Sequence, residues 1–333
     1  TNDPQNHRYP ETEGLPELRK SIAKWYKNRF EVTLNYENEI LPLIGAKEGI
    51  GHFPLCYIDP GDIALIPDPA YPVYAIGTLF AGGTSHLMPL TEDNNWLPDL
   101  GQIPNEIAKK ATILRINYPN NPTGALGNID FFKEAISFAK KNDIIVCHDA
   151  AYSEVTFDNY VAPSILEQPD ALDHCVEFHS LSKTYNMTGW RIGYGIWPES
   201  LFAHAERLAV NSYSCVNAVT QHAAIAALEG PDADIYKMLA AFNERREIIV
   251  RELNNIPGFR CTDPGGAFYA FPNIVQTGFD SSTLQKKLLE EVGVAVVSGT
   301  SFGDMGEGYL RFSYAASTEE ILDATSRIRS LLS

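Results

Sequence analysis

One lysine stands among residues that bind anions, in the stretch from 178 to 195 that reads FHSLSKTYNMTGWRIGYG. Lys183 comes shortly after the apolar run CVEFH, with Ser180 and Ser182 beside it, and Arg191 follows eight residues later. A lysine amine that is buried or flanked by charge loses its proton readily, and the free amine forms Schiff bases with carbonyl compounds. The serines and Arg191 are suited to hold a phosphate on such a compound. The segment therefore predicts a nucleophilic lysine, the alternative being a solvated lysine in a polar loop.

Polar clusters follow five apolar segments that have the composition of β-strands. Short β-rich runs alternate with helical ones along the chain, for example TILRIN before YPNNPTG and IIVCH before Asp149. That order predicts a three-layer α/β fold, with a mainly parallel sheet covered by helices on both faces. Ligands of such sheets bind beyond the carboxyl ends of the strands. We expect the clusters at those ends to form one site: residues 45–48, 68–71, 119–124, 149–152 and 180–183.

The helical patterns indicate a large and a small unit. Apolar residues at helical spacing predict one helix over 16–30 and another over 129–141, with Asn128 as its cap. After about Gly230 a long amphipathic helix leads into shorter strands and helices, including GGAFYAF, VAVVSG and YLRFSYA. We therefore predict a large domain over residues 1–243, with an arm over 1–15, and a smaller α+β domain over 244–333.

Charge and cysteine usage narrow the classes of partner. The 42 acidic and 26 basic residues give a net charge of −16, which disfavours nucleic acid and anionic membranes as partners. Five scattered cysteines without a C-x-x-C indicate reduced thiols in the cytoplasm rather than disulfides or a zinc site. No apolar stretch approaches the ~20 residues that span a bilayer. There is no H-E-x-x-H, and Gly193 and Gly195 lack the third glycine of a dinucleotide fingerprint, so neither a metal nor NAD is expected.

Several short motifs occur together in a characteristic order. They are N-P-T-G at 121–124, D-x-A-Y at 149–152, and S-x-S-K at 180–183 followed by G-x-R at 189–191. With them the sequence resembles the fold-type I pyridoxal 5′-phosphate (PLP) aminotransferases of class I/II. It is most similar to the LL-diaminopimelate and aspartate branches, and the resemblance covers about residues 7–317. It implies the fold of those PLP-dependent transferases and the cofactor PLP.

The resemblance implies roles for five side chains around the cofactor ring. Lys183 carries PLP as a Schiff base and then moves the proton between the substrate α-carbon and cofactor atom C4′. Asp149 lies against the pyridine nitrogen and keeps it protonated. Tyr152 and Asn121 bind the phenolate oxygen, and Tyr71 stacks on the ring. For these last three residues, core packing or an ordinary turn is the alternative.

The same resemblance assigns the cofactor phosphate to groups at a helix start and in the lysine segment: the backbone N–H groups of Ala46 and Lys47 and the side chains of Ser180, Ser182 and Arg191. Tyr9, in RYPETEG, matches a tyrosine that reaches the phosphate of the neighbouring subunit, which implies a homodimer with shared active sites. Members of the family usually carry a further N-terminal stretch that covers the active site. We expect that this stretch lies outside the present sequence or that the site is less closed.

Two cations are implied at opposite ends of the substrate. Arg311, in YLRFSYA, resembles the arginine that binds the α-carboxylate as a planar fork, with Asn121 beside it. Lys47 stands in a turn whose lysine lies near the distal end of the substrate in the diaminopimelate enzymes and some aspartate enzymes, so it is expected to bind a second carboxylate. The implied reaction moves an amino group between glutamate or 2-oxoglutarate and a second, dicarboxylic amino or oxo acid, of LL-diaminopimelate or aspartate type. The stretch 211–221 differs from the diaminopimelate pattern, which leaves the substrate pair open.

Two other functions are compatible with parts of the pattern. A PLP-dependent C–S lyase resembling cystathionine β-lyase would use the same cofactor machinery, and it would release pyruvate and ammonia from one substrate. A regulatory module could keep the aminotransferase fold without turnover. No basic DNA-binding segment is present in the sequence, which argues against that second alternative.

Overall fold

The computed structural model describes residues 2–333, and seven strands form its main sheet. These strands are β1 (Ile40–Leu43), β2 (Ile63–Asp68), β3 (Thr84–Pro89), β4 (Ala111–Asn117), β5 (Ile145–Asp149), β6 (Cys175–Ser180) and β7 (Gly193–Ile196). Their order is β1-β7-β6-β5-β4-β2-β3. The five strands from β2 to β6 run parallel, whereas β7 is antiparallel to both of its neighbours. The prediction of a mainly parallel sheet is therefore confirmed.

Helices cover both faces of this sheet and extend into the C-terminal part of the chain. They are α1 (Pro16–Phe30), α2 (Ala46–His52), α3 (Val73–Phe80), α4 (Asn105–Ala108), α5 (Ile129–Asn142), α6 (Leu181–Thr184), α7 (Glu199–Ser212), α8 (Ala218–Glu229), α9 (Ala233–Asn254), α10 (Ser281–Val292) and α11 (Thr318–Leu332). One apolar core joins the sheet to α1, α5 and α8, and a second joins its other face to α2, α3 and α7. The three-layer α/β arrangement is thus as predicted.

The predicted helix boundaries have local physical causes. Helix α1 begins at Pro16, whose missing N–H is harmless in the first turn, and it stops before Glu31, which has a left-handed backbone. Helix α5 begins after Asn128, whose side-chain oxygen accepts a 2.8 Å hydrogen bond from the N–H of Phe131. Both predicted helices are confirmed, and α5 continues one residue beyond its predicted end.

A third apolar core lies in the C-terminal part of the chain. There β8 (Tyr269–Ala270), β9 (Val297–Ser298) and β10 (Leu310–Ser313) form an antiparallel sheet in the order β8-β10-β9, packed with α9, α10 and α11. Helix α9 runs through residue 243 without a break, so the domain limits at 1–243 and 244–333 remain a prediction. Within residues 2–333, no helix is both long and apolar enough to cross a membrane.

Glu177 of β6 is a buried carboxylate whose hydrogen bonds join the sheet to neighbouring elements. Burial alone raises the pKa of Glu177, but hydrogen bonds and charge from His148 and His179 outweigh that effect and hold it well below the usual range. Five groups bond its two oxygens: His148 Nδ1 at 2.8 Å, His179 Nε2 at 2.9 Å, Tyr26 Oη at 2.6 Å, Ser164 Oγ at 2.7 Å and the Ile165 N–H at 3.1 Å. The network links β5 and β6 to α1 and to the loop before β6.

Replacing Glu177 with glutamine is expected to lower the free energy of unfolding by about 3 kcal/mol, because a buried ionic network loses its central charge. Since the folded-state pKa of Glu177 is lowered, its stabilising effect is complete above about pH 4.3, the unfolded value, and is lost as pH falls through the folded value. Urea unfolding across this range should therefore show a weaker acid destabilisation in Glu177→Gln than in the wild type. Glu134→Gln, on the exposed face of α5, is the control and should change stability by less than about 0.5 kcal/mol.

Candidate active site

The carboxyl ends of four parallel strands meet at one edge of the sheet, as predicted for the polar clusters. The end of β4 is bonded to the end of β5, because Asn117 Nδ2 donates to the carbonyl oxygen of Asp149 at 2.7 Å. Asn117 Oδ1 in turn accepts the N–H of Asn121 at 2.9 Å and orders the loop after β4. On the other side of β5, the N–H of Ala150 donates to the Phe178 carbonyl in β6. These contacts place the clusters after β4, β5 and β6 next to one another.

Asp149 is a buried carboxylate at the end of β5. One oxygen accepts a 2.8 Å hydrogen bond from the hydroxyl of Tyr74, and the other accepts the N–H of Ala151 at 3.2 Å. Burial raises the pKa of Asp149, and these hydrogen bonds act in the opposite direction, together with the charges of His148 and Arg115. A buried carboxylate of this kind is stabilised as an anion by a cation placed beside it. The site thus favours a protonated nitrogen as a ligand of Asp149.

Lys183 lies in α6, the single helical turn that follows β6. Ser180 caps this turn, since its side chain accepts the N–H of Ser182 at 3.2 Å. The Nζ atom of Lys183 is 5.8 Å from the ring centroid of Tyr152 and 5.2 Å from that of Phe268. Partial burial lowers the pKa of Lys183, Asp149 opposes this, and two arginine charges lower it further. The amine is therefore easier to deprotonate than a solvated lysine, which is the property expected of a nucleophile.

The arginines that act on Lys183 are Arg191 and Arg311, and Arg191 faces the start of α2. Gly45 precedes α2 with φ 97°, and a Cβ atom there would lie only 2.5 Å from Nη2 of Arg191. A Cβ on Gly193 would lie 2.7 Å from the backbone nitrogen of Ala46. Only glycine at positions 45 and 193 leaves the space between Arg191 and the start of α2 open. The N–H end of α2 and the exposed Arg191 therefore line one small cradle, and Ser180 and Ser182 lie in the adjoining turn. The donors suit a phosphate.

Arg311 reaches the loop after β4 from the second sheet. Its Nη1 donates to Asn121 Oδ1 at 2.9 Å, so the two residues predicted to bind substrate are in direct contact. Its guanidinium carbon lies 4.4 Å from the ring centroid of Tyr269 and 4.7 Å from that of Phe302. The rings hold the planar fork in place by cation–π contact and leave further N–H donors for a carboxylate.

Four residues that contact the predicted groups were not predicted from the sequence: Tyr74, Phe268, Tyr269 and Phe302. The hydroxyl of Tyr269 lies 3.0 Å from that of Tyr152 while its ring packs on Arg311, so Tyr269 joins the two. Phe268 and Tyr269 are the aromatic residues that follow the glycine pair in GGAFYAF, and this grouping was the available sequence signal for them. Tyr74 stands in the first turn of α3, whereas Tyr71 precedes that helix, so helical spacing gave no signal for Tyr74.

Tyr71 and Lys47 lie together at the side of Asp149 formed by α2 and α3. Lys47 is exposed, and its Nζ is 5.7 Å from the ring centroid of Tyr71. The Tyr71 ring meets that of Tyr74 edge-on at 6.0 Å, and Tyr74 bonds Asp149. Tyr9 is 90% exposed, and its role remains a prediction.

The loop before Tyr71 is bonded to the loop that carries Phe302. The N–H of Ala70 donates to the Phe302 carbonyl oxygen at 2.8 Å. The carboxylate of Asp68 accepts the N–H of Met305 at 3.2 Å, and Gly303 approaches it so closely that a Cβ there would overlap Asp68. Because Phe302 also contacts Arg311, the Tyr71 loop and the Arg311 side chain are fixed to one another.

The donor set of the site fits PLP. The buried carboxylate of Asp149 suits the ring nitrogen of that cofactor, and the Lys183 amine, with its lowered pKa, suits the aldehyde. The glycine-lined cradle with Arg191 suits the phosphate. Tyr152 and Asn121 offer a hydroxyl and an amide beside Lys183 and Arg311. All predicted residues other than Tyr9 are thus linked to the site by contacts or by the loops described above.

Comparisons with known proteins agree with this arrangement. A family model described as aminotransferase class I and II matches residues 1–328. The LL-diaminopimelate aminotransferase of Moorella thermoacetica is 46% identical over 330 residues, which are 99% of this chain and 84% of that protein. The enzyme of the same name from Dehalococcoides mccartyi strain 195 is 49% identical over 319 residues, 96% of this chain and 82% of that protein. The substrate-bound structure of BacF from Bacillus subtilis superposes with a TM-score of 0.96 at 34% identity, covering 99% of this chain and 84% of that one.

The fold and the site together define a PLP-dependent transferase of fold type I. The chain belongs to the class I and II aminotransferases, and it is an enzyme that uses PLP to transfer amino groups.

Proposed function

We propose that the protein is an LL-diaminopimelate aminotransferase, which exchanges the amino group of LL-diaminopimelate with that of glutamate through 2-oxoglutarate. The observation that carries this proposal is the 45–49% identity, over nearly the whole chain, to relatives of that name. In the biosynthetic direction, glutamate would donate the amino group and tetrahydrodipicolinate, in its open oxo form, would accept it.

The chain's own residues account for the proton movements of amino transfer. Bound PLP supplies an electron-withdrawing ring that stabilises negative charge at the substrate α-carbon. Asp149 holds the proton on the ring nitrogen, because a buried carboxylate there favours the cationic form. Lys183 Nζ, with its lowered pKa, would take the proton from the substrate α-carbon and deliver it to cofactor atom C4′. Tyr152 and Asn121 would bind the phenolate oxygen of the cofactor and so orient its ring, and Tyr71 would stack on that ring.

Two cations at the site support a dicarboxylic substrate. Arg311, oriented by Asn121 and by two aromatic rings, would bind the α-carboxylate with its remaining N–H donors. The exposed Nζ of Lys47 lies beside Tyr71, on the α2 side of the site, and would bind the distal carboxylate. The N–H groups of Ala46 and Lys47, with Ser180, Ser182 and Arg191, would hold the cofactor phosphate.

We also propose a homodimer with shared active sites, in which the exposed Tyr9 reaches the phosphate site of the partner. The division into a PLP-binding domain over 1–243 and a smaller domain over 244–333 is part of the same proposal, supported by the separate apolar core of the C-terminal part. All five cysteines are free, which supports a cytoplasmic location.

A half-reaction screen tests the substrate assignment. The PLP form is mixed with one amino acid at a time, and formation of pyridoxamine 5′-phosphate is followed by absorbance. LL-diaminopimelate and glutamate are expected to react, with aspartate and alanine slower. Lys47→Gln should lower kcat/KM for LL-diaminopimelate and glutamate by about 10- to 100-fold, the value of a charge-assisted hydrogen bond, and should leave alanine unchanged.

Lys24→Gln, an exposed lysine of α1, is the matched control and should behave as the wild type. A preference for aspartate over LL-diaminopimelate would reject the substrate assignment in favour of an aspartate aminotransferase. Pyruvate and ammonia formed from a single substrate, without pyridoxamine 5′-phosphate, would indicate the C–S lyase instead. No turnover of any amino acid by a PLP-loaded protein would favour the regulatory module.

A further inference from the structure

Arg115 of β4 is a charged side chain in the interior with no carboxylate partner in residues 2–333. It is 1% exposed and is the largest fully buried side chain in that part of the chain. Its Nη2 donates to the Ile50 carbonyl oxygen at 3.0 Å, its Nη1 contacts the Cys147 sulfur, and its Nε has no hydrogen-bond partner among the described residues. A buried cation that lacks a counter-ion is costly, so its position calls for a physical reason.

The sheet register places this charge behind Asp149. Arg115 pairs with Cys147, and Asn117 pairs with Asp149 two residues further along the same two parallel strands. Side chains two residues apart point to the same face of a sheet and are separated by about 7 Å along the strand. The guanidinium and the Asp149 carboxylate are therefore neighbours on one face of the sheet.

Tyr74 connects the two groups. The guanidinium carbon of Arg115 is 5.8 Å from the centroid of the Tyr74 ring, and the hydroxyl of that ring donates to Asp149 at 2.8 Å. A cation beside a phenol makes its O–H a stronger hydrogen-bond donor, and a stronger donor stabilises the charged form of the carboxylate that accepts it. The guanidinium carbon also lies 5.6 Å from the centroid of the Phe53 ring.

We propose that Arg115 is a positioning residue for amino transfer, whose buried charge acts on Asp149 both directly and through Tyr74 and keeps that carboxylate ionised for the ring nitrogen of the cofactor. The inference rests on the role proposed above for Asp149. Arg115 would contact neither substrate nor cofactor. It would act by keeping the negative charge on Asp149, on which the protonation of the cofactor ring depends.

Several titratable or charged groups interact electrostatically with Asp149: Tyr74 of α3, Arg115 of β4, Cys147 and His148 of β5, Tyr152 after β5 and Lys183 of α6. Lys183 gives up its charge when it acts as a base, and His148 is bonded to Glu177. Arg115 is the member of this set that stays cationic at every working pH.

The sign of the effect follows from these charges. Burial raises the pKa of Asp149, and Arg115 is among the groups that oppose the rise. Loss of the arginine charge should therefore raise that pKa further. Because the anionic form exists above the pKa, a neutral variant should need a higher pH to bind the protonated ring nitrogen.

Two probes of the cofactor-free protein separate this effect from activity. One is pyridoxamine 5′-phosphate, and the other is its analogue with a C–H group in place of the ring nitrogen. The ratio of their dissociation constants, measured by tryptophan fluorescence from pH 5 to 9, reports the bond to Asp149 alone, because contributions of the phosphate cancel. Arg115→Met should lower the wild-type preference for the nitrogen ligand by about tenfold near neutral pH, and the preference should recover as pH rises.

Four further variants make the outcome decisive. Arg115→Lys keeps a positive charge and should keep the preference for the nitrogen ligand. Arg115→Gln is neutral but retains an amide donor for the Ile50 carbonyl, and it replaces Arg115→Met in the test if that variant does not fold. Arg19→Met removes another buried arginine, bonded to two carbonyl oxygens, and should leave the ratio unchanged. Asp149→Asn sets the ratio expected without the carboxylate.

The outcomes distinguish the two proposals. If the wild type and Asp149→Asn show the same ratio, the role of Asp149 fails and the inference falls with it. If they differ and the folded neutral variants of Arg115 keep the wild-type ratio at every pH, Arg115 is only structural and the inference alone is overturned.

Discussion

Lys183→Ala is expected to abolish amino transfer, with kcat/KM falling by at least about 10⁴-fold. The variant loses both the amine that attaches the cofactor and the base that moves the α-proton, and no other lysine contacts the rings of Tyr152 and Phe268 in residues 2–333. Steady-state assays with glutamate and 2-oxo acids measure the loss. Treatment with borohydride followed by mass spectrometry measures attachment, which should give a stable cofactor adduct on the wild-type chain and none on the variant.

Lys133→Ala is the matched control for this experiment. Lys133 is an exposed lysine of α5 in an ion pair with Asp130, and its loss should change neither the adduct nor the rate. A Lys183→Ala protein that still formed a borohydride-stable adduct, mapped to another lysine, would show that the cofactor site lies elsewhere. A wild-type chain that formed no adduct with added PLP would contradict the assignment as a whole.

Asp149→Asn is expected to lower kcat by about 10³-fold while the cofactor remains attached to Lys183. Asparagine has the same shape, and its side-chain oxygen can still accept the bond from Tyr74, so the free energy of unfolding should change little. It carries no charge, and the ring nitrogen then loses the anion that keeps it protonated. Single-turnover reaction with glutamate measures the rate, and the borohydride adduct measures occupancy of the site.

The control is Asp143→Asn, at the exposed end of α5. Asp143 has a left-handed backbone with φ 57°, which asparagine adopts readily, so both fold and rate should be retained. An Asp149→Asn enzyme within a few-fold of the wild type would mean that the protonation of the ring does not depend on this carboxylate. The proposed role of Asp149 would then have to be abandoned.

The large sheet could be predicted because its strands and turns carry local signals. The apolar runs before Asp149 and Lys183 are strands, and the residues that follow them lie where parallel strands end. Strand β7 gave no such signal, since GYGI contains two glycines. It forms because β1 and β6 bind it on both sides, which is a tertiary effect.

The contacts that tune the site could not be predicted from local patterns. Tyr152 was assigned to the cofactor ring, but its hydroxyl is also within hydrogen-bond distance of Tyr269, 117 residues away. Asn121 lies 190 residues from Arg311 in sequence and is bonded to it. Spacing along the chain reports which face of an element a residue occupies. It does not report which residue of a distant element will pack against that face.

The bond between Ala70 and Phe302 has a consequence for changing the enzyme's specificity. Residues around Phe302 are a natural target for engineering, because they support Arg311 without taking part in the proton transfers. The same loop, however, is bonded to the residue before Tyr71, so a substitution that moves it also moves the aromatic ring proposed to cover the cofactor. A change of substrate choice made through this loop is therefore expected to need matching changes in both loops.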